Sequence, residues 1–198
     1  MNRRLKNLFL ILAATPVLIG CSSNTIATTA RARQFPATDE GATELLKEFV
    51  KTDTDYVALS RQLRPTSADY EAVFQPGFGT GAALAYNRAW DAGQMIVTPN
   101  NPARTEVRLF SATSEELRNR TGMAAKFAEG WSKVAPHLRP RVKIYQVDFI
   151  EPGKAEGMKY DGLVNVNGNW RIFPRPWQTL DQQTAVHRGT GGNNEIRK

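Results

Sequence analysis

Cysteine and histidine are nearly absent from this 198-residue chain, which contains one cysteine, Cys21, and two histidines, His137 and His187. A single thiol can form neither an intramolecular disulfide nor a cysteine-based metal centre. His137 follows a predicted helix and His187 lies in a polar tail, so there are few candidates for a histidine-centred acid–base pair. The composition therefore argues against disulfide-bonded and metal-binding classes of protein.

The short motifs that mark common hydrolases and redox proteins are also missing: the sequence has no H-E-x-x-H, C-x-x-C, G-x-S-x-G or S-x-x-K. Gly130-Trp131-Ser132-Lys133-Val134 approaches the serine nucleophile motif, but it lacks the final glycine and lies in a predicted helix. Gly77-Phe78-Gly79-Thr80-Gly81 follows a helix and a proline, whereas the dinucleotide fingerprint follows a strand. This glycine segment predicts a flexible connection. We therefore expect a protein that is not an enzyme and has no cofactor.

A long apolar run is missing as well. The run from Leu8 to Ile19 is only about a dozen residues, whereas a membrane-spanning helix needs about 20. It follows a basic head with Arg3, Arg4 and Lys6 and precedes Gly20-Cys21. This order is typical of a secretory signal peptide, so it predicts export and not a transmembrane anchor.

The end of this leader, Leu18-Ile19-Gly20-Cys21, resembles the lipobox of bacterial lipoproteins, although Ile19 stands where a small residue is commonest. The resemblance implies that residues 1–20 are removed by signal peptidase and that the Cys21 thiol is lipidated. Because Ser22 and not Asp follows the cysteine, sorting in Gram-negative bacteria would place the protein in the outer membrane, facing the periplasm. The alternative is an ordinary or uncleaved leader with a coincidental cysteine.

The charge of the chain is moderately basic. The formal net charge is +7, and removing the three leader cations lowers it to +4. Export puts nucleic acid out of reach, so we expect no nucleic-acid partner. Beyond the membrane that holds Cys21, the partners expected for such charge are an anionic envelope polymer or another envelope protein.

The length suits one domain of usual size with tails. Residues 21–38 are rich in Ala, Thr and Ser and lack sustained periodicity, which predicts a flexible tether. Residues 39–177 have the patterning of a single globular α+β domain, and a core of that size buries about 70% of the surface of the unfolded chain without disulfides. Residues 178–198 are polar and predict a disordered tail.

Capping residues followed by apolar residues at spacings of three and four predict helices in the first half of the domain. The predicted helices run from Thr38-Asp39 to Val50, from Thr54 or Asp55 to Arg64, from the capping box Thr66-x-x-Asp69 to Phe74, and from Ala82 to Ala92. Two more are predicted by a second capping box, Thr113-x-x-Glu116, and by the apolar stripe Met123, Phe127, Trp131 and Val134.

Strand patterns dominate the second half. The predicted strands are 104–110, 141–150, 158–166 and 169–173, and Asn167-Gly168 predicts a type I′ hairpin between the last two. These strands predict an antiparallel sheet of about four strands on which the helices pack. Helices followed by a sheet that ends in Gly168-Asn169-Trp170 are similar in outline to the nuclear transport factor-like (cystatin-like) α+β cone. That resemblance implies a pocket between helices and sheet, in a family that includes enzymes and binding domains.

Two sets of polar residues are candidate sites. Asp148 and Asp161 lie near strand ends and would meet in a pocket if the protein were a small-ligand carrier or an enzyme; turn and edge roles are the alternative. The second set is basic and is expected to form one anion-binding face, or else a solvated surface: Lys133, Arg139, Arg141, Lys143, Arg171 and Arg175. We expect an envelope lipoprotein that displays a non-catalytic binding or assembly domain, with the carrier or enzyme as the alternative.

Overall fold

Six α-helices and a four-stranded antiparallel sheet make up the part of the chain that the computed structural model describes, residues 35–180. The fold is α+β, as predicted. The predictions for the signal peptide, the lipobox, most of the tether and most of the tail fall outside the described residues. The helices are α1 (Asp39–Lys47), α2 (Tyr56–Gln62), α3 (Ser67–Val73), α4 (Phe78–Asp91), α5 (Ser114–Asn119) and α6 (Gly130–Val134). The strands are β1 (Glu106–Thr113), β2 (Lys143–Ile150), β3 (Gly157–Val166) and β4 (Asn169–Ile172).

The first three helices begin at the predicted caps. The Thr38 hydroxyl accepts a hydrogen bond from the Gly41 N–H at 3.1 Å, and Asp55 caps α2 in the same way. Thr66 and Asp69 form a reciprocal capping box at the start of α3. Each cap satisfies a first-turn amide that has no partner within its helix. Three short 3₁₀ segments, Glu48–Val50, Gly122–Lys126 and Ala135–His137, complete the helical part.

The glycine-rich segment is part of a helix and not a flexible connection. Helix α4 begins at Phe78, four residues earlier than predicted, so Gly79 and Gly81 lie in its first turn. A Cβ atom at Gly79 would lie 2.9 Å from the carbonyl oxygen of Tyr70, closer than real Cβ atoms approach. Glycine therefore lets α4 pack directly against α3, which explains the composition without a phosphate ligand.

The helix predicted from the stripe at 123–134 is wrong. Residues Gly122–Lys126 form a 3₁₀ segment, Phe127 is extended, and only Gly130–Val134 is α-helical. Met123 is 51% exposed, whereas Phe127 and Trp131 are buried. Their burial comes from contacts with other elements, such as that between the Trp131 and Trp177 rings at 5.9 Å, and not from one continuous helical face.

The sheet is a meander with the order β1-β2-β3-β4. Strand β1 extends to Thr113, beyond the predicted end at residue 110, and β2 begins at Lys143 because Arg141 adopts a left-handed conformation with φ +61°. Asn167 and Gly168 have φ values of +50° and +84°, which confirms a hairpin turn with positive φ at both central positions.

A bulge at Gly162 bends β3 where β4 begins to pair with it. The pairing of β2 with β3 shifts register between Tyr145 and Gln146 at this point. Gly162 has φ +99°, and a Cβ atom there would lie 2.2 Å from the carbonyl oxygen of Phe173. Only glycine allows the chain leaving β4 to come this close, with the Phe173 N–H donating to the Gly162 carbonyl at 2.8 Å.

Every residue of β2 except Lys143 is buried. Because the side chains of a strand alternate between the two faces, helical segments and loops must cover both faces of the sheet at this strand. Trp90, Trp131 and Trp170 are 7%, 1% and 6% exposed and fill much of the space between helices and sheet. The packed region extends past the predicted bounds of the domain, since Phe35 packs against the core and Thr179 is buried. No helix within residues 35–180 is both long and apolar enough to cross a membrane.

Candidate functional site

Three of the six predicted cations line one cleft, which we call the basic cleft. Arg139, Arg141 and Lys143 lie along a cleft of about 390 Å³ between the C-terminal end of α3, the segment that leads into β2 and the β3–β4 hairpin. Ala72 and Val73 of α3 form one wall, and the opposite wall is formed by hairpin residues Val164 to Asn167. All three cations therefore belong to a single stretch of chain, residues 139–143, which passes the end of α3 and enters β2.

Arg139 is fixed against the end of α3. Its backbone N–H donates to the Val73 carbonyl at 2.8 Å, and its side-chain Nε donates to the carbonyl oxygens of Phe74 at 3.1 Å and Glu71 at 3.3 Å. These bonds satisfy carbonyls that have no partner within α3. Among residues 35–180, no hydrogen bond or ion pair uses the two Nη groups, so they remain as donors for a ligand.

Arg141 occupies the corner between α3 and β2. Its left-handed backbone redirects the chain, and its backbone N–H donates to the Glu115 carboxylate at 3.2 Å. The side chain is exposed and forms no ion pair within the described part of the chain. Its charge is thus free to attract an anion.

Lys143, in contrast, is neutralised by the protein itself. Its Nζ lies 2.6 Å from Asp39 Oδ1 and 5.0 Å from the centre of the Tyr145 ring, and the Tyr145 hydroxyl donates to the same Asp39 oxygen at 2.8 Å. Hydrogen bonds from Lys143 and Tyr145 lower the pKa of Asp39. Burial acts to lower the pKa of Lys143, but the bond to Asp39 and the contacts with Tyr145 raise it overall. This ion pair ties α1 to β2, and its Lys143 side forms part of the cleft wall.

A fourth polar group of the cleft, the Asn165 side-chain amide, was not predicted from the sequence. Its Oδ1 accepts the Gly168 N–H at 3.0 Å and thereby supports the hairpin turn. Its Nδ2 is buried and has no hydrogen-bond partner among the described residues. An unpaired buried donor costs about 1–3 kcal/mol. An acceptor in the cleft could bind this amide only if the side chain moved, because Nδ2 itself is buried. Asn165 lies within a strand pattern, so only the cleft distinguishes it from other strand residues.

The other three predicted cations do not line the basic cleft. Arg171 points to the helices, where its Nε lies 2.9 Å from Asp69 Oδ2 and its Nη1 donates to the Gln62 carbonyl. Arg175 lines a different pocket, and Lys133 is exposed on α6 and is not among the residues of the basic cleft. Arg171 is directed away from the cleft because its partner, Asp69, lies in the first turn of α3, whereas the basic cleft lies at the other end of that helix.

The two candidate carboxylates do not meet in a pocket. Asp148 is 3% exposed and accepts a hydrogen bond from Gln146 Nε2 at 2.9 Å. Asp161 lines a pocket of about 360 Å³ that Asp148 does not line. Burial raises the pKa of Asp161, while the Ala128 N–H acts to lower it. The structure therefore places only one of the two predicted carboxylates in this pocket.

The remaining candidates for chemistry have ordinary packing roles. The His137 ring stacks on Phe78 with centroids 4.9 Å apart. Within residues 35–180 no group of three or more His, Cys, Asp and Glu side chains is placed to bind a metal ion. Cys21 and His187 lie outside the described residues.

Comparisons of this chain with protein-family models, with curated proteins and with solved structures give no match. The class of the protein is therefore defined by its α+β fold and its basic cleft. The resemblances to bacterial lipoproteins and to the nuclear transport factor-like cone remain predictions from the sequence.

Proposed function

We propose that this protein is a lipid-anchored lipoprotein of the bacterial cell envelope whose folded domain is a non-catalytic binding module for anionic groups. The observation that carries the proposal is the convergence of Arg139 and Arg141, both without a carboxylate partner among the described residues, in a cleft beside the unpaired Asn165 amide. The ligand chemistry is a phosphate or carboxylate group, as found on lipid head groups and envelope polymers. The lipobox resemblance at Cys21 supports the location.

The geometry of Arg139 suits such a ligand. A guanidinium group presents several donors in a plane that matches phosphate and carboxylate oxygens. Because Nε is already bound to two backbone carbonyls, less side-chain entropy is lost when the Nη groups bind an anion. Arg141 adds a second charge from the exposed side of the cleft. Neither residue must first give up an internal ion pair.

Arg141→Asn is the variant that tests the basic cleft. It removes the charge, and Asn tolerates the left-handed conformation, so the fold should be retained. Loss of a charged hydrogen bond, worth about 1.5–3 kcal/mol, should weaken binding roughly tenfold or more. The measurement is co-sedimentation of the chain from Ser22 to Lys198 with phosphatidylglycerol vesicles and, separately, with an anionic glycan polymer.

The matched control is Arg88→Gln, which removes the same charge from the exposed side of α4, away from the basic cleft. We expect this variant to bind almost as well as the unchanged chain at 0.15 M salt, where distant surface charges are largely screened. An equal loss in both variants would mean that binding follows net charge alone, and the proposed site would then be rejected.

Cys21→Ala tests the anchor independently of the basic cleft. Without the thiol, we expect no incorporation of labelled fatty acid and accumulation of an unprocessed precursor with residues 1–20 still attached. The measurement is metabolic labelling followed by electrophoresis of the membrane fraction. Labelling that persists in the alanine variant would exclude a lipid anchor at this position.

A small-ligand carrier is the second candidate, and the pocket that contains Asp161 favours it. This pocket of about 360 Å³ lies at the edge of β3 where β4 does not pair, and its lining includes Tyr86, Trp90, Ile96 and Met158. The volume and the aromatic lining fall in the range of small-molecule sites. Saturable binding of an apolar fluorescent dye that Met158→Trp abolishes would support this function over the anion-binding one.

A further inference from the structure

Strand β1 is an edge of the sheet. It pairs with β2 over all eight of its residues, and its other side pairs with no strand in the described part of the chain. An edge strand of this length presents backbone N–H and C=O groups that another chain can bind.

The hydrogen-bond pattern shows which groups of β1 are free. The Ser114 N–H donates to the Val142 carbonyl at 2.9 Å, and these two residues continue the register that pairs Thr113 with Lys143. In an antiparallel ladder, residues whose backbone groups bond to the neighbouring strand alternate with residues whose groups point away. The even-numbered residues of β1 therefore bond to β2, and Val107, Leu109 and Ser111 direct their backbone groups outward.

The amide of Thr113 agrees with this alternation. Its N–H donates to the Glu116 carboxylate at 2.7 Å and not to β2. The capping box of α5 thereby ends the free edge. Val107, Leu109 and Ser111 therefore present three N–H and three C=O groups that an added strand can bind.

Beside this edge lies a groove of about 570 Å³ between β1 and α1. Asp39, at the start of α1, bonds to Lys143 and Tyr145, which pair with Thr113 and Ser111. Phe49, just after α1, contacts Phe149, which pairs with Val107. Helix α1 therefore runs antiparallel to β1, along the whole free edge.

This direction places charges along the groove wall in a defined order. Glu40 and Glu44 lie on α1 toward the Ser111 and Leu109 positions, whereas Lys47 lies at the Val107 end. All three side chains are exposed and form no ion pair within the described residues. The side chains of an added strand alternate between the two faces of the sheet, so every second one would face this wall.

We propose that the free edge of β1 binds an extended segment of another polypeptide by strand addition. The segment carries Lys or Arg at the two alternate positions opposite Ser111 and Leu109, and an acidic residue opposite Val107. In an antiparallel arrangement its sequence pattern is basic-x-basic-x-acidic, with up to six backbone hydrogen bonds to the three free residues. The intervening positions face the other side, near Phe110, and favour apolar β-branched residues.

A second copy of this chain fits the groove less well. Antiparallel pairing of two β1 edges around Leu109 would bring the Glu44 side chains of both copies to the same position, and the added strand would carry no basic residue opposite Glu40 or Glu44. Like charges in such positions are unfavourable. The wall thus favours an added strand whose own side chains carry the complementary charges.

The first test uses a synthetic peptide, acetyl-Thr-Lys-Val-Lys-Val-Glu-Thr-amide, and its charge-swapped counterpart with Glu, Glu and Lys at the same three positions. The protein is the chain from Ser22 to Lys198. We expect the first peptide to bind at least tenfold more tightly than the second. Amide hydrogen exchange by NMR should slow at Val107, Leu109 and Ser111 when it binds, while Arg108 and Phe110, already bonded to β2, remain unchanged.

Two protein variants then distinguish the contribution of backbone hydrogen bonds to peptide binding from the contribution of the charged groove wall. Ser111→Pro removes an outward N–H without breaking the β1–β2 ladder and should weaken peptide binding at least tenfold. Glu40→Gln with Glu44→Gln should reduce the preference between the two peptides about fivefold or more. The control pair Glu71→Gln with Glu129→Gln, exposed residues on other segments, should leave that preference intact.

Three results would overturn the proposal. One is equal binding of both peptides, and another is binding that leaves exchange at Val107, Leu109 and Ser111 unchanged. The third is a dimer, seen by sedimentation equilibrium without peptide, that protects these amides and is lost in Ser111→Pro. That third result would assign the edge to a second copy of the chain.

Discussion

Asp161 shows how the sheet and the segment before α6 act on one side chain. The residue lies opposite Gln146 on β2, next to the Gly162 bulge, in partly buried surroundings. Burial disfavours the ionised carboxylate more than the Ala128 N–H and Arg175 favour it, so its pKa is raised. The folded protein therefore binds a proton at Asp161 more tightly than the unfolded chain does.

Asp161→Asn should change how stability depends on pH. Between the ordinary value of 3.8 and the raised pKa, the folded state holds more protons at residue 161 than the unfolded state, so this residue's contribution to stability falls as pH rises. The Asn variant lacks that loss because residue 161 no longer titrates. We therefore expect the stability of the variant relative to the unchanged chain to increase from pH 4 to pH 7, measured by urea unfolding. A constant difference over this range would contradict the raised pKa.

Arg141 and Lys143 are two residues apart and differ in what their charges do. The charge of Lys143 is taken up by Asp39 and Tyr145, whereas Arg141 has no such partner in the described part of the chain. A basic side chain that is paired with a carboxylate of another element connects the two elements, whereas one without a partner remains available for a ligand. Sequence cannot distinguish the two, because Asp39 is distant from both along the chain.

At the scale of secondary structure, the join between β1 and α5 depends on one residue. Thr113 is the last residue of β1 and also the cap of α5, and its hydroxyl accepts the Glu116 N–H at 3.2 Å. The Glu116 carboxylate accepts the backbone N–H and the hydroxyl of Thr113, and these bonds lower its pKa. The strand thus ends and the helix starts without an intervening loop.

Thr113→Ala should destabilise the protein by about 1 kcal/mol, the usual cost of losing an N-cap side chain. Thr113→Ser keeps the hydroxyl and should recover most of that stability. The measurement is the free energy of unfolding in urea at pH 7, with the m-value checked for a constant unfolded state. Equal losses in the two variants would show that the threonine methyl group, and not the cap, provides the stability.

At the scale of the whole molecule, the ion pair between Arg171 and Asp69 joins the helical layer to the last strand. The side chains are 20% and 12% exposed, and Arg171 also donates to the Gln62 carbonyl at the end of α2. Asp69 is at the same time the capping-box partner of Thr66. One cluster therefore connects α2, α3 and β4.

Arg171→Leu should cost about 3 kcal/mol, since it leaves the Asp69 carboxylate largely buried without its cation. Combining it with Asp69→Asn should recover part of this loss, because the amide oxygen can still cap α3 while the unpaired charge is removed. The three variants form a double-mutant cycle measured by urea unfolding. If the losses are simply additive, the ion pair does not couple the layers.

The local features of this protein could be predicted from its sequence. The caps at Thr38, Asp55, Thr66 and Thr113 and the Asn167-Gly168 hairpin were all located correctly, because each depends on hydrogen bonds or positive φ within a few residues. The α+β class and the four strands followed from residue patterns of the same short range.

The features that failed depend on contacts between distant segments. The Gly79 segment is part of α4, and its glycine lets that helix pack closely against Tyr70 of α3. Phe127 and Trp131 are buried by contacts with other elements, although they do not lie on one continuous helix. Only the tertiary structure decided which cations meet in the basic cleft, because the turn at Arg141 and the partners of Lys143 and Arg171 come from different parts of the chain. The same is true of the free edge of β1, since the order of strands in a sheet is set by long-range pairing and not by the sequence of any one strand.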